Sequence, residues 1–128
     1  MSTPAATSGV VLFAHGSRDP QWRQPIEAVA RMLSASRTDI AVACAYLELC
    51  DPALPDVVDQ WAAAGVQRIS IVPMFLGAGR HAREDLPRMV AQLRAQHPLL
   101  DLRLSSPIGE DARMTALMSQ IAADSVTD

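Results

Sequence analysis

Four short apolar runs alternate with four helical stripes along this chain, and that alternation restricts its fold more than any other feature. The runs cover residues 9–14, 40–47, 68–72 and 100–104. The first three are almost continuously apolar, as strands covered on both faces are. The fourth, "LDLRL", alternates strictly and belongs at a sheet edge. The stripes are Ile26, Val29, Ala30, Leu33; then Leu54, Val57, Val58, Trp61; then Leu86, Met89, Val90, Leu93; then Met114, Leu117, Met118, Ile121. Each set is spaced i, i+3, i+4, i+7, which gives a helix one face to bury. Repeated strand–helix units form a parallel sheet with right-handed crossovers. The expected fold is a three-layer α/β/α domain with four parallel strands in the order 2-1-3-4, half of a flavodoxin-like arrangement.

Punctuation supports these elements. Asp51 before Pro52 reads as an N-cap with proline at the first helical position, and Gly65 as the stop of that helix. Glu110 and Asp111 open the last helix, where acidic groups suit the dipole. Asp19 and Pro20 carry the same cap signal for the first helix. Pro25 would then remove an internal hydrogen bond, so the regular helix begins either there or only near Trp22.

A length of 128 residues suits one domain, placed at residues 9–124 behind a disordered extension over residues 1–8. The net charge is −3, so no basic field exists to hold nucleic acid or an anionic membrane. All eleven cations are arginine. Two cysteines, Cys44 and Cys50, make no disulfide framework and fit a reducing cytoplasm. The opening "MSTPAATSG" lacks the charged region of a signal peptide, and no apolar run is long enough for a membrane span.

In an open parallel sheet, ligands bind beyond the carboxyl ends of the strands. His15, Gly16, Ser17 and Arg18 follow the first strand. Glu48 and Cys50 follow the second, Arg80, His81 and Arg83 the third, and Ser105 and Ser106 the fourth. His15 and His81 thus leave one pole, and on neighbouring strands their imidazoles can face each other. Glu48 is close if the second strand flanks the first on its other side. Imidazole and carboxylate together suit Fe, Co, Ni or Zn at a site left open. His97 ends a helix at the opposite pole and reads as structural.

Other chemistries lack their motifs. There is no G-x-x-x-x-G-K-[ST], no G-x-G-x-x-G after the first strand, and no G-x-S-x-G around Ser17. "AHGSR" has Ala14 where a phosphohistidine phosphatase needs arginine.

Three stretches together are more specific. "LFAHGSRDP", "AYLELCDPALPDVV" and "IVPMFLGAGRHAREDLP" resemble the sirohydrochlorin chelatases of the CbiX type, among the class II tetrapyrrole chelatases. The third stretch is the most distinctive, with Pro73, Phe75, Leu76, Gly79, His81, Asp85 and Pro87 in the family's places. The resemblance implies a chelatase-like fold and an enzyme that inserts a divalent metal into the acidic tetrapyrrole sirohydrochlorin. It implies no permanent cofactor, the metal (Co2+, Fe2+ or Ni2+) being a substrate. His15 and His81 correspond to the histidines that hold the metal and take protons, and Glu48 to the third functional position.

Neutral imidazole binds such ions moderately and accepts protons near pH 7, whereas thiolates would hold them too tightly. Ser17, Arg18, Arg80 and Arg83 stand beside the histidines, where arginine could clamp substrate carboxylates. Longer relatives contain two such domains, so a single-domain chain implies a homodimer. The expected activity is cobalt insertion on the route to cobalamin. Iron insertion for sirohaem, nickel insertion, and a non-catalytic metal or tetrapyrrole carrier are the alternatives.

Overall fold

The computed structural model of the protein describes residues 6–127. Its elements run β1 Ser8–Ala14, α1 Pro20–Ser36, β2 Ala41–Tyr46, α2 Leu54–Ala63, β3 Arg68–Pro73, α3 Arg80–Gln96, β4 Asp101–Leu104 and α4 Ala112–Asp124. A 3-10 turn, Ile108–Glu110, precedes α4. The four strands are parallel and lie in the order β2-β1-β3-β4. Val11 is the Cα partner of Ala43 on one side and of Ile71 on the other. All four strands therefore deliver their following loops to the same pole. Among the described residues no helix is long and apolar enough to cross a membrane.

The pleat sends alternate β1 residues to opposite faces. Val11 and Phe13 join Ile69, Ile71 and Leu102 beneath α2 and α3, where Leu54, Val57, Val58, Leu86, Val90 and Leu93 complete the main core. Leu12 and Ala14 face α1 and meet Ile26 and Tyr46 in a smaller cluster. The stripes of α2 and α3 are thus buried as their spacing requires.

The stripes of α1 and α4 are not. Only Ile26 of α1 is buried, and Val29 is 43% exposed. No residue of α4 is buried, and Leu117 and Ile121 are 52% and 60% exposed. The helix packs mainly against the 3-10 turn before it. A periodic stripe shows which face of a helix can be buried; it does not supply the surface that buries it. For the same reason β2, read as covered on both faces, is a half-exposed edge strand over residues 41–44.

The caps differ in detail. Asp19 accepts from the N–H of Gln21 at 2.9 Å, Pro20 begins α1, and Pro25 sits inside it. The cap expected at Asp51 moves to Ala53. The N–H of Tyr46 donates to the Pro52 carbonyl at 2.9 Å, and Tyr46 bridges to Ala53, so this segment stays extended and Pro55 opens the helix instead. Gly65 follows α2 with φ of +96°. Of the extension expected over residues 1–8, Ser8 lies in β1 and the Thr7 carbonyl accepts from the N–H of Gln67. Residues 1–5 lie outside the described residues.

Asp111 caps α4, accepting from the N–H of Arg113 at 2.8 Å. The Arg113 guanidinium holds its carboxyl down at about 2. A depressed carboxyl stabilises the fold above its ordinary value near 4, and that contribution is lost as the pH falls through about 2. With no buried residue to hold it, α4 is expected to fray first in that window. Amide exchange across residues 112–124 from pH 5 to pH 2 checks this; loss of protection no earlier than in α3 would contradict it.

Candidate active site at the carboxyl pole of the sheet

Each loop at this pole is fixed by the strand before it and by its neighbour's backbone. β1 ends at Ala14, and His15, the next residue, is exposed. The N–H of Leu47 donates to the Ala14 carbonyl at 2.9 Å, and the N–H of Glu48 donates to the His15 carbonyl at 3.0 Å. The loops carrying His15 and Glu48 therefore run on from the β1–β2 ladder and stay together. Gly16 makes this possible. Its φ is +103°, and a Cβ there would stand 1.8 Å from the Glu48 carbonyl oxygen. Only a residue without a side chain lets the two loops close up.

The next residues turn into α1. Ser17 Oγ accepts from the N–H of Asp19 at 3.1 Å, and Arg23 Nη1 donates to the Ser17 carbonyl at 3.4 Å. Arg18 is exposed.

On the other side of β1, the N–H of Met74 donates to the Phe13 carbonyl at 2.7 Å, which carries the β1–β3 ladder to the loop before α3. Phe75 is 5% exposed, and its ring stacks on the His15 imidazole with centroids 4.5 Å apart and planes tilted by 31°. Gly109 closes this loop from behind. Its N–H donates to the Phe75 carbonyl at 2.9 Å, and a Cβ there would stand 1.9 Å from the Leu76 carbonyl oxygen.

Gly79 caps α3, and Arg80 and His81 are its first two residues. The side chain of His81 lies outside the described residues. Arg80 is exposed and pairs with Glu84 at 3.2 Å, an interaction of small energetic weight in solvent. Arg83 is exposed beside a small apolar cavity of about 160 Å³ that Phe75, Ala82, Leu86 and Glu110 also line.

The fold thus brings the backbones of His15, Glu48 and the His81 loop to one pole on three adjacent strands. Ser17 and Arg18 lie between β1 and α1, and Arg80 and Arg83 in the first turn of α3. Among the described residues no three His, Cys, Asp or Glu side chains gather into a ligand set. His97 is elsewhere, capping the end of α3 with Nε2 2.7 Å from Asp59 Oδ1.

The cysteines face α1 rather than this pole's centre. Cys44 and Cys50 pack against the smaller cluster. Burial pushes the Cys44 thiol up and the Tyr46 hydroxyl up as well. A thiol held protonated is a poor ligand. A groove of about 550 Å³ runs past Cys44 and Tyr46 between α1 and β2, reaching Arg23 and Asp51 but not His15.

Sequence reasoning missed the roles of Phe75, Gly16, Arg23 and Gly109. Aromatic residues are 4% of the chain, and that scarcity was a usable signal. Two of the few aromatic contacts lie at or near this pole: Phe75 on His15, and Trp22 with Tyr46 at 6.4 Å.

Comparison with known proteins places this arrangement. The chain matches the CbiX family model over residues 9–125. It is 38% identical over 81 residues to a sirohydrochlorin cobaltochelatase of Methanopyrus kandleri, spanning 63% of this chain and 57% of that one. It superposes with a TM-score of 0.81 on a cobalamin-biosynthesis CbiX protein of Marinobacter aquaeolei VT8, at 34% identity, covering 93% of this chain and 97% of the other. A sirohydrochlorin chelatase, SirB of Bacillus subtilis subspecies spizizenii in complex with cobalt, shares the fold at 23% identity and a TM-score of 0.76. This chain covers half of SirB's length. With a family match across nearly all of its length and the strand order to go with it, the chain belongs to the CbiX family.

Proposed function

We propose that the protein is a sirohydrochlorin chelatase that inserts a divalent metal, Co2+ above all, into sirohydrochlorin. The observation that carries this reading is the pairing of β1 with β3, which sends the His15 and His81 loops out side by side. The name of the Methanopyrus kandleri relative supports the choice of substrate and metal. In the reaction the ion enters the ring, bonds form to the pyrrole nitrogens, and two pyrrole protons leave. His15 and His81 present the ion and accept those protons, since neutral imidazole does both near pH 7. Glu48, held beside His15 by its own backbone N–H, supplies the carboxylate that draws the cation in and takes a proton onward. Ser17, Arg18, Arg80 and Arg83 receive the macrocycle's carboxylates, Arg by paired N–H donors. No permanent cofactor is needed.

The working unit is a cytoplasmic homodimer whose two copies enclose the macrocycle. Two observations support it: His15 is exposed, and the apolar stripes of α1 and α4 are largely uncovered. No affinity for nucleic acid or membrane is expected from a net charge of −3.

The test mixes purified protein with sirohydrochlorin and Co2+, Fe2+ or Ni2+ at matched free concentrations and follows the absorption spectrum. Acceleration over the protein-free rate, greatest with Co2+, is expected. Tight binding without acceleration would make the protein a carrier, and a preference for Fe2+ would move it to the sirohaem route. Light scattering of the same sample should give twice the monomer mass; a fully active monomer would contradict the dimer.

A further inference from the structure

Phe75 is buried like a core residue, yet one face of its ring is spent on a polar group at the surface. Its edge meets Phe13 in the core at 6.2 Å and 70°. Its face lies under the exposed His15 imidazole at 4.5 Å and 31°. The Phe75 backbone is held on both sides, by the Met74 N–H on Phe13 and by the Gly109 N–H on its own carbonyl. The ring therefore cannot drift with the loop. It is fixed to the sheet, and through it the imidazole is too.

Histidines that handle metals usually have one ring nitrogen hydrogen-bonded to a carboxylate or carbonyl, which sets the ring's plane. Among the described residues, the histidine that makes such a bond is His97, at the far pole. We infer that Phe75 is the positioning residue for His15: its ring face fixes the plane of the imidazole and keeps both ring nitrogens at the open edge. This inference rests on the assignment of His15 to the site. It adds that the ring's orientation comes from an aromatic platform rather than from a hydrogen-bonded second group. A platform has a use here. It confines the ring without engaging either nitrogen, so the lone pair of the neutral imidazole is free to hold an ion and, once the ion has passed on, to take a proton.

Phe75→Leu keeps an apolar side chain in the core but removes the flat face. Phe75→Met does the same with an unbranched chain that adapts to the gap, and serves if the leucine variant folds poorly. The substrate's KM should hold while kcat for insertion falls roughly tenfold to a hundredfold, the range seen when a group orienting a metal-site histidine is lost. The direct readout is the His15 ring protons in the NMR spectrum. In the wild type the aromatic ring beneath them should shift them upfield, and in either variant that shift should vanish.

Two results would overturn the inference. One is a wild-type kcat in a folded variant. The other is a fall in kcat with the His15 ring resonances unmoved, which would make Phe75 a packing residue only. His15→Ala in the same assay separates the two claims. If His15→Ala is slow and the Phe75 variants are not, the platform is wrong and the site stands. If His15→Ala is itself unaffected, the site assignment fails.

Discussion

Replacing His15 by alanine is expected to slow metal insertion by about 10²- to 10⁴-fold, the usual weight of a positioned proton acceptor, and His81→Ala should do the same. Neither change should unfold the protein. His15 is exposed at a strand tip, so its removal leaves no internal cavity, and the lost contact with the Phe75 ring costs about 0.5–1.5 kcal/mol. His81 is the second residue of α3, in a turn where alanine is well tolerated. The double variant should be scarcely slower than the slower single one, because two groups acting on one ion fail together. Steady-state rates with Co2+ and sirohydrochlorin, beside urea unfolding of each variant, check both halves of the expectation.

Gly16→Ala should damage stability and activity together. An added Cβ would meet a backbone oxygen, that of Glu48, at 1.8 Å, and a φ of +103° is unfavourable for any side chain. The conformational strain alone is worth about 1–3 kcal/mol. The obstructing atom is main chain and cannot swing aside, so the His15 and Glu48 loops must part. A total loss of at least roughly 2–3 kcal/mol is expected, with insertion slowed as the two functional segments separate. Gly77→Ala is the control, since open space surrounds a Cβ there. It should unfold at close to the wild-type urea concentration. Equal midpoints for the two variants would show that the close approach at Gly16 does not matter.

Much of this molecule can be read from its residues, for reasons that are physical. The apolar run at 9–14 is legible because β1 is buried along most of its length, and that at 68–72 because Ile69 and Ile71 alternate with the less buried Arg68, Ser70 and Val72. Stripes such as Leu86, Val90 and Leu93 are legible because burial follows the helical period. Strand order then places His15 and Glu48 on adjacent tips, with the His81 loop beyond.

What the residues do not carry is who is opposite whom. Met114, Leu117, Met118 and Ile121 have the same spacing as Leu86 to Leu93, yet none of them is buried. Asp51 and Pro52 have the residue types of a cap, but a competing backbone bond from Tyr46 takes that segment. Phe75 stands at one of the family's places, but its residue type gives it no partner. Its contact with His15 arises from two ladders meeting, which no local pattern records. Gly16 is similar. A glycine after a histidine suggests a turn, while its actual constraint is a carbonyl thirty-two positions away.

The account rests on His15 and His81 sharing one metal ion, one from the loop after β1 and the other from the start of α3. Cobalt K-edge absorption of the Co2+-loaded protein measures that directly. Two imidazoles in the metal's shell are expected for the wild type, falling to one in His15→Ala and to one in His81→Ala. A wild-type shell without imidazole, or one that neither substitution alters, would contradict it.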